Sequence, residues 1–319
     1  MSKIKIVTAF FDIGRGTSSV LPRNNEQYFD YFKFWSRIQN EMIVYCEPQN
    51  CEKIINIRRE YGLEEKTEVI PIPDVFHIEP EIFAHMTEIE HNKQFHSFRY
   101  YNKALSNSAK YDYIMLIKWW CLNDAAARSD DDYFLAWIDF GYNHGGERYM
   151  KSEDFDFLWN YPFADKVNAF CLSNPDDMTG VDSLQFQKDC FIGHTVVMPQ
   201  NMCAQWWNRI KEAMWSLISL DCIDDDQQLL LMVYKRYKND FNIMICDWFE
   251  DFLLCSNQSF TVKLIESQSI LETEKQVKLS IARRIYRKLK RSFIKEKQET
   301  PRMDPFLQRM LEKKKKYYG

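Results

Sequence analysis

Glycine is scarce in this 319-residue chain, with nine in all, and no G-x-x-x-x-G-K-[ST] or G-x-G-x-x-G occurs. That removes P-loop NTPases and Rossmann-type dinucleotide enzymes from the candidates. The nine cysteines are odd in number and scattered, with no C-x-x-C pair and no ligand-like spacing to histidine. They read as reduced, mostly buried thiols of a cytosolic protein, which excludes a disulfide-stapled miniature fold and a zinc module. No stretch reaches the roughly eighteen uninterrupted apolar residues of a membrane span, because YIMLIKWWCL and LLLMVY are cut short by charge. The N-terminal MSKIKIVTAFFD meets an acid after a short apolar run, so it reads as a first strand and not as a signal peptide.

Hydrophobic residues are plentiful, at 45% against 28% charged, which is enough for a sizeable core. Aromatics reach 15%, and such side chains supply core volume and also line carbohydrate and nucleotide clefts.

The formal charge of -4 hides two materials. Residues 275–319 carry 16 Lys and Arg against 4 Asp and Glu, and the preceding residues carry 26 against 42. In the basic part, Val277, Ile281, Ile285, Leu289 and Phe293 recur every fourth residue among lysines and arginines, the pattern of a basic amphipathic helix. The expected division is therefore a domain over 1–274 and a helical appendage over 275–319. An anionic membrane surface is the first partner expected for that appendage, and docking on the acidic body is the second. A nucleic acid ranks last, because the body is acidic and shows no zinc-finger or recognition-helix signature. The resulting placement is cytoplasmic, peripheral on the inner face of the cell membrane.

In the body, KIKIVTAFF (3–11), EMIVYC (41–46) and TEVIPIP (67–73) read as strands, separated by helical patterns at Tyr28 to Ile38 and at CEKIINIRREYG, which Gly62 closes. Alternation of this kind predicts an α/β fold with a mostly parallel central sheet and a ligand site beyond the strand ends, where DIGRG lies. Residues 74–101 hold His77, His85, His91 and His96 without metal-ligand spacing, and are expected to be a mobile surface segment near an acceptor cleft.

Three stretches carry the chemistry. Lys118 lies among apolar residues of a helix running through KYDYIMLIKWWCL. Asp139 ends the strand YFLAWI and precedes a turn, Phe140, Gly141, Tyr142. A carboxylate there suits a divalent cation on a nucleotide-sugar diphosphate, although only one acid of the usual D-x-D is present, and a turn-capping acid is the other role open to it. Asp224, Asp225 and Asp226 precede Gln227 and an apolar helix. One acid there is an N-cap; three repel one another, which raises a pKa in the way a general base is tuned.

IVTAFFDIGRG (6–16), WIDFGY (137–142) and DDDQ (224–227) together resemble the HtrL/YibB family, which includes the WlaTC-type proteins of bacterial surface-polysaccharide loci. The resemblance spans about the first 250 residues and omits the basic tail. It implies a GT-A-like nucleotide-sugar-binding fold and a glycosyltransferase. Carried onto this sequence, Thr8, Ala9, Phe10, Phe11, Asp12 and Arg15 would hold the nucleotide or its diphosphate. Lys118 would neutralise the diphosphate, and Asp139, followed by Gly141 and Tyr142, would take the metal side with Mn or Mg. Asp224 and Gln227 would bind the donor, with Asp225 or Asp226 as the catalytic carboxylate. The expected reaction moves a hexose from a UDP-type donor to a lipid-linked or surface-polysaccharide acceptor such as lipooligosaccharide, O-antigen or capsule. A non-catalytic carbohydrate-binding scaffold and a nucleotidyltransferase are the alternatives.

Overall fold

The computed structural model describes residues 3–17, 23–99, 108–128, 132–146, 150–256 and 258. All of them belong to one compact unit that extends to Lys263. The appendage expected over 275–319 lies outside the described residues.

A seven-stranded sheet organises that unit. Its strands are β1 (Lys3–Phe10), β2 (Met42–Cys46), β3 (Thr67–Pro71), β4 (Tyr133–Ile138), β5 (Val167–Cys171), β6 (Phe191–Pro199) and β7 (Phe241–Ile245), in the order β3-β2-β1-β4-β6-β5-β7. Strands β3, β2, β1 and β4 run parallel, and β5 pairs in parallel with β7. Strand β6 is antiparallel to both its neighbours. The α/β class and the mostly parallel sheet expected from sequence are present.

Side chains alternate across a strand, so each strand feeds two cores. Ile43 and Tyr45 of β2, Leu135 and Trp137 of β4, and Val196 and Met198 of β6 face one core. Met42, Val44 and Cys46, Ala136 and Ile138, and Ile192 and Val197 face the other. The first core is covered by α3 (Pro80–Glu90), α4 (Lys93–Phe98), α5 (Ala109–Ala127), α7 (Cys203–Ile218) and α8 (Asp226–Arg236). The second is covered by α1 (Asn25–Trp35), α2 (Cys51–Arg59) and α9 (Asp251–Cys255). A short α6 (Gly180–Phe186) precedes β6. Helices on both faces explain why the central strands read as nearly continuous apolar runs.

The segment expected to be a mobile surface stretch is instead largely helical. Asp74 caps a turn at Val75–His77, and α3 and α4 follow. Ile82, Met86 and Ile89 are buried; their four- and three-residue spacing is a helical stripe that the histidines of the same stretch obscure. All nine cysteines are free, and only Cys51 is not buried. Among the described residues no helix is long and apolar enough to cross a membrane.

One buried cation fixes the sheet's β2–β3 edge. Arg58 of α2 is fully buried, and its guanidinium donates to the carbonyls of Ser36 (2.6 Å), Ile38 (2.6 Å) and Asn40 (2.9 Å) and to Thr67 Oγ1 (2.8 Å). Arg58→Met strands those acceptors without solvent, so it should lower stability by at least about 3 kcal/mol in urea unfolding. A loss below about 1 kcal/mol would mean that water replaces the guanidinium there.

Candidate functional site

The carboxyl ends of β1 and β4, the start of β6 and the first turn of α8 border a cleft of about 410 Å³, within the range of small-molecule sites. Of the positions expected from sequence, Ala9, Phe10, Phe11, Asp12, Arg15, Lys118, Asp139, Gly141, Tyr142, Asp226 and Gln227 line it. Thr8, Asp224 and Asp225 do not. Thr8 is fully buried in mid-strand, on the face that β1 turns toward α1 and α2.

The three acids before α8 have separate local settings. Asp224 is fully buried, forms an ion pair with Arg99 at 3.1 Å, and accepts the Asp225 N–H at 2.9 Å. Asp225 is the N-cap, accepting the Gln227 N–H at 3.1 Å. Asp226 pairs with the ammonium of Lys118, which also donates to the Gly193 carbonyl at 2.7 Å. Burial pushes the Asp226 pKa up, Lys118 pulls it down and Asp225 adds to the rise; the net direction is upward. Gly193 is required by close approach, since a Cβ there would lie 2.1 Å from Asp226 Oδ2.

On the β1 side, Asp12 spends its groups on the loop. Its carboxylate accepts the Gly14 N–H (2.7 Å) and Asn25 Nδ2 (2.9 Å), and its own N–H donates to Glu47 (2.6 Å). Arg15 is held by Tyr28, whose hydroxyl accepts from it, and lies 5.8 Å from the ring centres of both Tyr28 and Tyr111. Among the described residues neither Arg15 nor Arg23, also on the lining, pairs with a carboxylate. The Tyr111 hydroxyl is pushed well above the ordinary tyrosine range by burial and by the carboxylates of Asp225, Asp226 and Asp139.

Asp139 follows β4 directly. Its N–H donates to the His194 carbonyl (2.9 Å), and its Oδ1 accepts Trp137 Nε1 (2.6 Å). The Tyr142 hydroxyl donates to Asp251 (2.8 Å) inside the protein. Four residues that sequence reasoning missed complete the far wall: Gly193, His194, Trp248 and Phe249. Only His194 left a signal, as a polar residue within the apolar run FIGHTVVMP. Burial pushes its pKa down to about 3, so the ring is neutral.

Among the described residues no three His, Cys, Asp or Glu side chains converge as a metal cage. Asp139 alone fits a Mg²⁺ or Mn²⁺ shared with a ligand's phosphates, and does not fit an ion held by protein groups only.

A model of the family described as "Bacterial protein of unknown function (HtrL_YibB)" matches residues 2–257. The chain belongs to the HtrL/YibB family. It is 26% identical over 285 residues to Protein HtrL of Escherichia coli (strain K12), covering 82% of this chain and 96% of that one. The crystal structure of mouse xyloside xylosyltransferase 1, apo form, aligns with 78% of this chain and 90% of its own at 12% identity and a TM-score of 0.41.

Two predictions concern the charges beneath this HtrL/YibB cleft. Removing one member of a buried ion pair leaves the other uncompensated, so Lys118→Met should lose about 3 kcal/mol. The double variant Lys118→Met/Asp226→Leu should lose at least about 1 kcal/mol less than the two single losses added together. Additive losses in urea unfolding would show the two groups to be energetically independent. Behind Asp224, Asp112 is fully buried with neither carboxylate oxygen hydrogen-bonded, and burial pushes its pKa well up. The native state then holds a proton that the unfolded chain releases near pH 4, so this group's contribution to stability falls as pH rises from about 4 toward the raised value. Asp112→Asn should flatten that fall and raise the melting temperature at pH 7.5. An unchanged melting profile between pH 5 and 7.5 would show that Asp112 carries no such proton.

Proposed function

We propose that the cleft binds a nucleotide-diphosphate sugar, with UDP the expected nucleotide, and that the protein transfers the sugar to a glycan hydroxyl. The observation that carries this reading is a set of polar groups lacking partners on one lining. Arg15 Nε, Gln227 Oε1 and His194 Nε2 have no hydrogen-bond partner, and Arg15 and Arg23 face no carboxylate among the described residues. Buried polar atoms are ordinarily paired. Three such atoms on one lining, beside two arginines, support a polar, anionic ligand with hydroxyl groups.

In this reading the diphosphate lies between Arg15, Arg23 and Asp139, and Tyr28 and Tyr111 border the nucleotide. A Mg²⁺ or Mn²⁺ bound at Asp139 with the ligand would supply positive charge to the leaving diphosphate. Asp226, not Asp225, is the carboxylate on the lining. Its raised pKa suits it to take a proton from the acceptor hydroxyl, while Lys118 and the N-terminus of α8 hold it in position. A GT-A-type assignment is supported by the mixed sheet and by a carboxylate directly after β4. The basic residues 275–319 support a lipid-linked acceptor presented at an anionic surface, as in lipooligosaccharide, O-antigen or capsule assembly.

Asp139→Asn tests the reading. The amide oxygen can still accept from Trp137 Nε1, so the melting temperature should hold within about 2 °C. The carboxylate charge that would hold a cation on the diphosphate is lost, so turnover of the UDP-sugar should fall at least about a hundredfold. Wild-type protein should release UDP from the donor, whereas a nucleotidyltransferase would release pyrophosphate. Unchanged donor turnover in Asp139→Asn removes Asp139 from the site, and no nucleotide release by the wild type favours a binding scaffold.

A further inference from the structure

The far wall of the cleft contains a hydrogen-bond acceptor that none of the described residues uses. The His194 side chain is 7% exposed. Its ring lies flat on Phe249, with centroids 4.8 Å apart and planes 10° apart, and edge-on to Tyr142 at 5.1 Å. Its Nδ1 is turned toward protein groups, with Thr195 Oγ1 at 3.1 Å and Asp251 Oδ2 at 4.0 Å. Tyr142 fixes that carboxylate from the other side. The Thr195 hydroxyl donates to the Asp251 carboxylate, so its oxygen accepts from Nδ1–H, which keeps the imidazole proton on that nitrogen and leaves Nε2 as an acceptor. Nε2 is buried without a partner, and His194 is among the residues that line the cleft.

The chemistry of a ligand group that could satisfy Nε2 is restricted. The oxygens of a diphosphate diester are acceptors at neutral pH and would repel the lone pair. A hydroxyl supplies the missing proton. The His194 carbonyl accepts the Asp139 N–H, so the ring stands one strand pairing from the carboxylate assigned above to the diphosphate. The diphosphate carries a hydroxyl-bearing group at each end, the ribose and the transferred sugar; with the nucleotide assigned above to Tyr28 and Tyr111, the sugar is the group left for this wall.

We propose that His194 is the sugar-reading residue of the cleft: its Nε2 accepts a hydrogen bond from a ring hydroxyl of the donor hexose, against an apolar wall made by Trp248 and Phe249. This rests on the nucleotide-sugar reading and adds to it. A site built around a bare acceptor rejects a sugar that lacks the matching hydroxyl more strongly than one that merely carries an extra group. His194 thereby selects the hexose, while Arg15 and Asp139 deal with the part common to all UDP-sugars.

Calorimetric titration of the full chain separates the two proposals. UDP, UDP-glucose, UDP-galactose and UDP-N-acetylglucosamine are titrated into wild type, His194→Phe and His194→Gln, with melting temperatures confirming folding. Phenylalanine keeps the stack on Phe249 and removes the acceptor, and glutamine retains an acceptor oxygen. In wild type one UDP-hexose should bind more tightly than UDP. In His194→Phe the affinity for UDP should stay within about twofold, while that hexose loses about tenfold, and His194→Gln should recover part of the loss. The deoxy analogue lacking the matched hydroxyl should lose the same factor in wild type and almost none in His194→Phe.

Equal losses for UDP and UDP-hexose, or no loss for either, overturn the assignment of His194 and leave the nucleotide-sugar site standing. The same holds if a deoxy analogue loses as much in His194→Phe as in wild type. If wild type binds neither UDP nor any UDP-sugar, both proposals fall.

Discussion

The Lys118 ammonium is where three distant parts of the chain are tied together. It sits on α5, pairs with Asp226 at the start of α8, and donates to Gly193 in β6. Removing both charges from water is costly, and the attraction between them offsets that cost only with good geometry and further hydrogen bonds. Those conditions fix the spacing of α5, β6 and α8 before any ligand arrives. Gly193 is part of the same constraint, because any side chain there would occupy the space of Asp226. The cleft floor is therefore pre-organised, the condition under which charged groups act most strongly on a bound ligand.

That tie also explains how three consecutive acids are tolerated at one helix start. Asp224 turns toward Arg99, Asp225 toward the free N–H groups of α8, and Asp226 toward Lys118. Each has a different neighbour, which offsets part of the repulsion that Asp225 exerts on the other two. The opposite rim has the reverse character: Arg15 and Arg23 are held against tyrosine rings and pair with no carboxylate among the described residues. A cleft with an internally compensated floor and an uncompensated cationic rim has its remaining electrostatic demand at the rim. That demand is what supports the anionic ligand proposed for the cleft.

Much of this was legible in the sequence where the signal is local. The strands β1, β2, β3, β4 and β6 announce themselves by apolar runs between turn formers, and Asp139 and Lys118 stand out as charges in apolar surroundings. What could not be read was pairing across long separations. Nothing near Lys118 points to Asp226, 108 residues away, and nothing near Gly193 signals a close approach, since its backbone is not left-handed. Strands β5 and β7 are five residues each, and Asn168 and Asn242 break their apolar pattern; those asparagines meet each other across the two strands at 2.9 Å. The far wall was invisible for the same reason. Trp248 and Phe249 become site residues only because β7 runs alongside β5 and delivers them to the end of β6.

The far wall also concentrates backbone strain. Asn143 and His144 have φ of 50° and 44°, and Phe249 has φ of 65°, values that cost a side-chain-bearing residue on the order of 1–3 kcal/mol each. Gly145 and Gly146 extend the first run at 75° and 94°, and a Cβ on Gly146 would lie 2.5 Å from the Phe34 ring. The strained residues support one another. The Phe249 ring packs against His194 at 4.8 Å, against Tyr142 at 5.6 Å and against His144 at 5.8 Å, and Tyr142 is anchored through Asp251. An unstrained Phe249 would carry its ring off the imidazole on which it stacks at 4.8 Å. The strain is thus tied to the placement of the His194 ring on the far wall.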